Sequence, residues 1–346
     1  MQLEWRGRVA RHILNSKNPP QNFYDPIYGH IGTKILDTIL GEHDIKKPHL
    51  PLNILLEKFG QRLHINLNEY SPIPVKGIED VIIAIDRSIP KGNTAYILPW
   101  YHQEEEIYKT LFRPYFKIPI EGLKPREGML QYNYEYKGIY HLKIPDRYTG
   151  EIYLDLLKEY VETILEVGGY LILDITYIHT VEDFNETAEK LLRMIEPISR
   201  RVIFYIDLSR SYINPKAEYC VAYSPYQITD IIINHRGINI AGLLDDTLPV
   251  ELFTLDLLWN EYLNQVRTTL ESKKKILKRN LKNKFLESSY TLTIGFSGSL
   301  ELAEKLLNEN IIVEPIETPL EGITIDLYTD AEEEAMEKLI KNFMVE

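Results

Sequence analysis

Apolar and polar positions along the 346-residue chain alternate between two rhythms. Residues 31–41 and 52–62 repeat apolar side chains every three to four positions, the spacing of amphipathic helices. Gly77 to Ile85 is apolar with helical period, and Thr94 to Leu98 reads as a short buried strand ended by Pro99. Residues 103–112 predict a helix, 115–120 a strand, and Gly138 to Leu142 another short apolar run. The clearest helix spans 151–167, with Ile152, Leu156, Leu157, Tyr160, Val161 and Leu165 on one face and Gly168-Gly169 closing it. A strand from Tyr170 to Leu173 follows at once. Then come helix 183–195, strands 201–206 and 218–223, and helix 250–270. Strands alternating with helices through short Gly or Pro turns predict an α/β layered sheet.

Near the C-terminus the rhythm changes. Strand 290–296, helix 299–308, strands Ile311–Val313 and Gly322–Leu327 and helix 330–343 predict a compact α+β unit. The expected organisation is an N-terminal arm over 1–30, a large domain over 31–265 and a small C-terminal domain over 266–346. A helix around 262–282 bridges the two, carrying the basic run Lys273, Lys274, Lys275, Lys278, Arg279, Lys282 and Lys284. Such a run is a solvated helix face or a docking patch for an acidic partner.

Composition narrows the function. The 39 Lys and Arg against 51 Asp and Glu give a net charge of -12, which disfavours nucleic acid and anionic membranes as partners. A single cysteine, Cys220, excludes an internal disulfide and a Cys-rich zinc site. No run of eighteen apolar residues predicts a membrane span, and the N-terminus lacks the core of a secretory signal, so a cytoplasmic location is expected. Abundant Tyr, Ile, Lys and Glu fit a heat-adapted organism. The nine His are scattered, the runs 104–106 and 332–334 of Glu read as exposed helix faces, and no metal is expected. Neither a Walker loop nor a dinucleotide-binding glycine fingerprint is present.

The order of short motifs says more. Ile144-Pro-Asp-Arg147-Tyr-Thr149-Gly150 precedes the clearest helix. Gly169-Tyr-Leu-Ile-Leu-Asp174-Ile-Thr-Tyr177 is an apolar strand ending in Asp. Val202-Ile-Phe-Tyr-Ile206 then runs into Asp207-Leu-Ser209-Arg210. This succession resembles the fold type I pyridoxal-phosphate (PLP) aminotransferases, particularly the histidinol-phosphate aminotransferase and threonine-phosphate decarboxylase branch. There the pattern runs N-P-x-N-P-T-G, D-E-A-Y, then S/T-K. Asn22 to Gly29 is similar to the family's N-terminal arm, Gly77 to Ile85 to its phosphate cup and helix, Leu98-Pro-Trp-Tyr101 to the P-x-Y that stacks on the cofactor ring, and Asn310 to Val313 with Ile323 to Leu327 to its small-domain strands. The resemblance covers nearly the whole chain. It implies a three-layer α/β/α large domain with a mostly parallel sheet, and a small C-terminal α+β domain.

Residue by residue, the resemblance also implies loss. The Schiff-base Lys falls at Arg210, and a guanidinium keeps its proton and cannot act as this nucleophile. The phosphate-gripping Arg falls at Glu218, the ring-hydroxyl Asn at Arg147, the cup Ser at Ile78 and the substrate-clamping Arg at Thr324. Gly77, Tyr101, Asp174, Tyr177 and Ser209 persist. Two of them have plainer readings as well, Asp174 as a strand-end cap and Tyr101 as core packing. The leading expectation is a remnant cleft formed by Gly77, Tyr101, Arg147, Asp174, Tyr177, Ser209 and Arg210. It has no catalytic residue and no cofactor, and binds a protein partner or a small anion. The other is an active PLP-dependent aminotransferase or decarboxylase on an amino acid or its phosphate, with Lys216 as attachment point.

Two structural expectations accompany these. The cleft guanidiniums of Arg147 and Arg210 need counter-charges, either Asp174 and Glu218 or a ligand anion, and Asp174 is the expected partner of Arg210. Phe23, Tyr24, Ile27 and Tyr28 give the arm the aromatic character of a homodimer interface.

Overall fold

The computed structural model describes residues 2–25, 29–43, 45–46, 48–88, 94–99, 120–123, 137–236, 247–279, 281, 284–317 and 320–343. The sequence-predicted helix 103–112, nearly all of strand 115–120, Tyr101, Ile27 and Tyr28 lie outside these residues.

Seven strands form the large sheet: β1 (Tyr70–Val75), β2 (Thr94–Pro99), β3 (Ile120–Leu123), β4 (Lys137–Lys143), β5 (Gly169–Asp174), β6 (Val202–Asp207) and β7 (Cys220–Pro225). Their order is β1-β7-β6-β5-β4-β2-β3. All pairs are parallel except those of β7, which runs antiparallel to both β1 and β6. Alternation of side chains along the central strands feeds two cores. Ile139, Ile172 and Ile203 meet helices Ile78–Ser88 and Tyr226–Arg236 on one face. Leu171, Leu173 and Phe204 meet helices Leu154–Val167 and Phe184–Ile195 on the other. Helices on both faces explain why these strands read as continuous apolar runs, the signature of a buried parallel sheet. The expected three-layer α/β/α architecture with a mostly parallel sheet is what forms.

A separate four-stranded antiparallel sheet follows: β8 (Phe285–Glu287), β9 (Thr291–Gly295), β10 (Glu314–Ile316) and β11 (Gly322–Asp326), in the order β10-β11-β9-β8. Ile311–Ile312, expected with these strands, instead pairs in parallel with Gln21–Asn22 of the arm. The arm is thus tied to the C-terminal unit, and Trp5 Nε1 reinforces the tie by donating to the Val313 carbonyl at 3.1 Å. Phe23 and Tyr24 are consequently buried inside their own chain, which corrects the expectation that they form an exposed interface patch.

Other differences have local causes. Strand β1 is broken in sequence by Pro72 and Pro74, so its period is hidden. At the sheet edge, where among the described residues β1 pairs with β7 alone, these missing N–H groups cost no ladder bond. The helix expected from 151 starts at Leu154, because Tyr153 sits in the left-handed region with φ 33°. The single helix expected over 250–270 is two, Leu248–Leu257 and Trp259–Lys278, divided at Leu258. The basic run at the end of the second helix is no uniform solvated face. Lys273 is buried, its Nζ donating to the carbonyls of Leu327 at 3.2 Å and Thr329 at 2.6 Å, while buried Lys274 pairs with Glu287 at 3.4 Å. No helix among the described residues is long and apolar enough to cross a membrane.

Gly150 joins the two sheets. Its φ is +72°, and a methyl group on it would meet the Ser288 Cα at 2.6 Å. Both the backbone conformation and the space demand glycine. Gly150→Ala is expected to lower stability by about 1–3 kcal/mol in urea denaturation, the cost of a strained backbone position.

Candidate functional site

The parallel strands β4, β5 and β6 end at one edge of the large sheet, with Lys143, Asp174 and Tyr205 in register. In open α/β sheets ligands bind in the crevice outside such strand ends. A cavity of about 410 Å³ opens there, closed on its far side by Tyr290 and Glu314 of the small unit and by Tyr24 and Asp25 of the arm.

Arg210 is placed by the end of β6. Asp207 caps the single helical turn Leu208–Ser211, its Oδ1 accepting the Arg210 N–H at 3.2 Å. The guanidinium folds back over that same cap, with Nε 3.1 Å from Asp207 Oδ2, and its NH2 lies 3.8 Å from Asp25 Oδ2. The expected pairing of Arg210 with Asp174 does not form. Three residues separate cap from guanidinium on a helical turn, which makes Asp207 the nearer neighbour. Beneath this turn lies buried His30. Its Nε2 donates to the carbonyls of Ser209 at 3.1 Å and Ile213 at 2.9 Å, and its Nδ1 accepts the Thr33 N–H at 3.1 Å. Burial lowers the His30 pKa to about 4, so the ring works as a neutral bracket.

Asp174 closes β5. Its Oδ1 accepts from the Thr176 N–H at 3.1 Å and the Thr176 hydroxyl at 2.6 Å, and that hydroxyl oxygen accepts the Asp207 N–H at 2.9 Å. The two strand ends are thereby locked together. The other oxygen, Oδ2, lies 4.0 Å from His141 Nε2. Burial and nearby Lys143 hold His141 well below its usual pKa, so it supplies no positive charge.

Arg147 sits on a turn organised by buried Asp146, whose Oδ1 accepts from the N–H groups of Tyr148 at 2.8 Å and Thr149 at 2.7 Å and from the Thr149 hydroxyl at 3.0 Å. From this turn the Arg147 guanidinium reaches Glu314 Oε2 at 3.1 Å and Asp326 Oδ2 at 3.6 Å, and donates to the Tyr24 carbonyl at 2.7 Å. Asp174 and Glu218, the carboxylates expected to neutralise the two arginines, do neither. The carboxylates that do so, Asp25, Asp207, Glu314 and Asp326, come from four separate segments.

The remaining candidates divide. Tyr177 lines the cavity and stacks on Tyr290, centroids 4.1 Å apart. Ser209 lines it too, yet its hydroxyl is held by Tyr219, accepting the N–H at 2.5 Å and donating to the carbonyl at 3.3 Å. Gly77 lies under the Glu79 carboxylate, which folds back so closely that a methyl group on Gly77 would collide with it. Ile78 and Glu218 also line the cavity. Lys216 is exposed and absent from the lining, whereas Lys76 and Lys143 are part of it. Thr324 is buried in the small sheet, 2.9 Å from the Thr293 hydroxyl. Of the residues that sequence reasoning missed, only Asp207 carried a signal: an Asp at a strand end three residues before a helical position is an N-cap pattern. His43 lies 3.8 Å from Glu261 and beside Glu42, an exposed grouping that brings together residues far apart in sequence.

The fold defined by these two sheets is that of the fold type I PLP-dependent aminotransferases. Among solved structures, the chain is similar to the Thermus thermophilus aspartate aminotransferase, with TM-score 0.66 at 13% identity over 99% of this chain and 95% of that one. It is similar also to the histidinol-phosphate aminotransferase of Clostridium acetobutylicum, with TM-score 0.64 at 12% identity over 93% and 97% of the chains. The α-aminoadipate aminotransferase of Thermus thermophilus, solved with a phosphopyridoxyl-leucine conjugate, matches with TM-score 0.65 at 15% identity over 98% and 95%. No family model and no curated protein matches the sequence.

Two measurements follow from the electrostatics. Arg147 keeps 17% of its side-chain surface exposed and Arg210 40%. Arg147→Ala strands two buried carboxylates and is expected to cost about 3–5 kcal/mol, whereas Arg210→Ala, at a wetter pair, costs about 1 kcal/mol or less. Chemical denaturation of both variants checks the ranking.

The second concerns pH. Burial raises Asp146 and Asp207 to about 6 and Asp326 to about 7, and lowers His30 to about 4 with His141 and His179 well below their usual value. Between roughly pH 4.5 and 6 the unfolded chain carries protons on these three His and the folded chain carries them on these three Asp. Proton counts match, so stability is nearly flat there. The three His protons of the unfolded chain, with a usual pKa of 6.5, and the three Asp protons of the folded chain, at about 6 for two and about 7 for the third, leave over the same range, so stability also changes little up to about pH 8. Thermal melts should be nearly flat with pH across this range, and Asp326→Asn, which deletes a proton held only by the folded chain, should make stability rise with pH through it.

Proposed function

We propose that this chain is an aminotransferase-fold protein that performs no Schiff-base chemistry and works by binding a small molecule in the cleft. The observation that carries the reading is Arg210. Where the resemblance expects a nucleophilic amine, a guanidinium is held by Asp207 and Asp25. A group that never deprotonates cannot add to an aldehyde. The surroundings do not fit PLP either. Glu79 occupies the space over Gly77, Glu218 and Ile78 line the phosphate end, and carboxylates there repel a phosphate dianion.

A small anion loses its support along with PLP, because the two guanidiniums that motivated it are neutralised within the chain. The PLP-enzyme reading with Lys216 is weakened by that residue's exposure outside the cavity. A homodimer and a cytoplasmic setting belong to the proposal on the resemblance and the composition, and the buried arm aromatics add nothing to the dimer.

The test is borohydride reduction of the chain incubated with equimolar PLP, followed by peptide mass mapping. No stoichiometric pyridoxyl-lysine is expected at Lys76, Lys143 or Lys216, and no shifted absorbance of a protein-bound aldimine. A stoichiometric adduct at any one of the three overturns the reading.

A further inference from the structure

A second cavity lies at the other edge of the large sheet. It encloses about 290 Å³ and is lined by Leu165, Pro197, Ile198, Ser199, Arg200 and Arg201. Arg201 directly precedes β6, whose last residue, Asp207, lines the cleft. The length of that strand, roughly 17 Å at the usual rise per residue, separates the two spaces. Helix Leu154–Val167 ends at Gly168, and its last turn meets the segment Glu196–Arg201, which winds as a short 3₁₀ helix before the strand begins.

Its chemistry differs from that of the cleft. No carboxylate lines it, although the chain as a whole carries a charge of -12. Both arginines are exposed, and among the described residues neither makes an ion pair, not even with Glu166 or Glu196, which adjoin the lining in sequence. Arg201 is oriented all the same, because its NH1 donates to the Ile164 carbonyl at the helix end, at 2.9 Å. One nitrogen is thus spent on anchoring, and Nε and NH2 of the same planar fork remain for another acceptor. Half-buried Ser199 offers a third donor. Its carbonyl accepts from the Tyr70 hydroxyl at 2.9 Å, while its own hydroxyl makes no hydrogen bond among the described residues. The floor is apolar. Ile198 is buried, whereas Leu165 keeps 56% of its surface exposed on a helix whose Leu157, Tyr160, Val161 and Ile164 are buried. A molecule that covers Leu165 with carbon and brings an anion to the guanidiniums satisfies both halves of the lining.

We propose that this cavity is a second binding site, for a small anion with a short aliphatic chain. Arg200, Arg201 and the Ser199 hydroxyl hold its carboxylate or phosphate, and its hydrocarbon lies on Leu165, Pro197 and Ile198. The guanidiniums stay charged at any accessible pH and select the anion, and the apolar floor selects the chain. The site is independent of the cleft and of what the cleft binds.

Methyl NMR of the full chain, labelled at Ile and Leu, tests it. The probes are hexanoate and hexyl phosphate, with hexanol and hexylamine as uncharged and cationic counterparts, and acetate and inorganic phosphate as the headgroups alone. Saturable shifts of the Leu165 and Ile198 signals are expected with at least one of the two tailed anions, while Ile78 and Ile144 of the cleft stay in place. The tighter of the two names the headgroup. The counterparts and bare headgroups should bind about tenfold or more weakly, the loss of a hydrogen bond to a charged group or of the apolar contact. Arg201→Gln is expected to weaken binding of the tailed anion about tenfold or more. Arg200→Gln, at an exposed position where folding is not at risk, should weaken it several-fold, and Arg193→Gln, at a surface guanidinium of the neighbouring helix, should leave it unchanged. No saturable shift with either tailed anion, shifts confined to Ile78 and Ile144, equal binding of hexanol, hexylamine or the bare headgroups, or binding that Arg200→Gln and a folded Arg201→Gln leave intact would overturn the proposal.

Discussion

One buried cation holds the cleft together. Arg147 leaves a turn of the large sheet, meets Glu314 and Asp326 from two strands of the small sheet, and donates to the Tyr24 carbonyl of the arm. Three separate stretches of chain converge on one guanidinium, whose planar fork serves several acceptors at once. The Tyr148 hydroxyl donates to the second oxygen of Glu314 at 3.1 Å, and the Thr291 hydroxyl donates to the Arg147 carbonyl. Remove the cation and two buried acids are left without their counter-charge. The cleft has a defined shape because this clasp fixes the distance between its two walls.

The opposite wall is rigid for a different reason. The relay from the Asp207 N–H through the Thr176 hydroxyl to Asp174 ties the ends of β5 and β6, and His30 brackets the turn that carries Arg210 from below. Behind it, the Tyr262 hydroxyl and the Tyr328 hydroxyl both donate to the Ser211 carbonyl, and His179 Nε2 lies 2.9 Å from the Tyr328 oxygen. These polar groups sit within a cluster of aromatic rings, where an unpaired partner is costly and a satisfied one specifies position. Arg210 is therefore held in its pairing with Asp207 by a scaffold that has little freedom to turn it elsewhere.

Much of the fold was legible because it depends on periodicity. The runs around Ile139, Leu171 and Ile203 and the helices between them announce a buried parallel sheet, and the motif order placed Asp174, Tyr177 and Ser209 at the strand ends where they lie. The charge pairing was not legible. Arg147 meets carboxylates more than 160 residues away, and no local pattern marks Glu314 or Asp326 as its partners. Asp25 likewise comes from the arm. Prolines concealed β1, and Tyr290, legible as the start of a strand, gave no sign of the Tyr177 ring it stacks on. Sequence fixes which element a residue occupies more readily than what faces it across a cleft, since facing depends on the packing of both sheets at once.

Fold and site are specified by different residues here, which is how one can persist while the other changes. The sheet is written in Ile139, Ile172, Ile203 and their opposite-face neighbours, none of which lines the cavity. Helix Ile78–Ser88 still presents its N-terminus to the cavity, a place where backbone N–H groups favour an anion. That feature is inherent to the strand–helix geometry and survives any change of side chains. In this chain Glu79 sets its own carboxylate in the first turn, over Gly77, and Glu218 adds a second acid to the same lining. The helix end is thus supplied with negative charge from within. The geometry that would favour an incoming anion is opposed by side chains, and the balance of the two turns on their charge. A full carboxylate outweighs the half-charge of a helix end, so the side chains prevail.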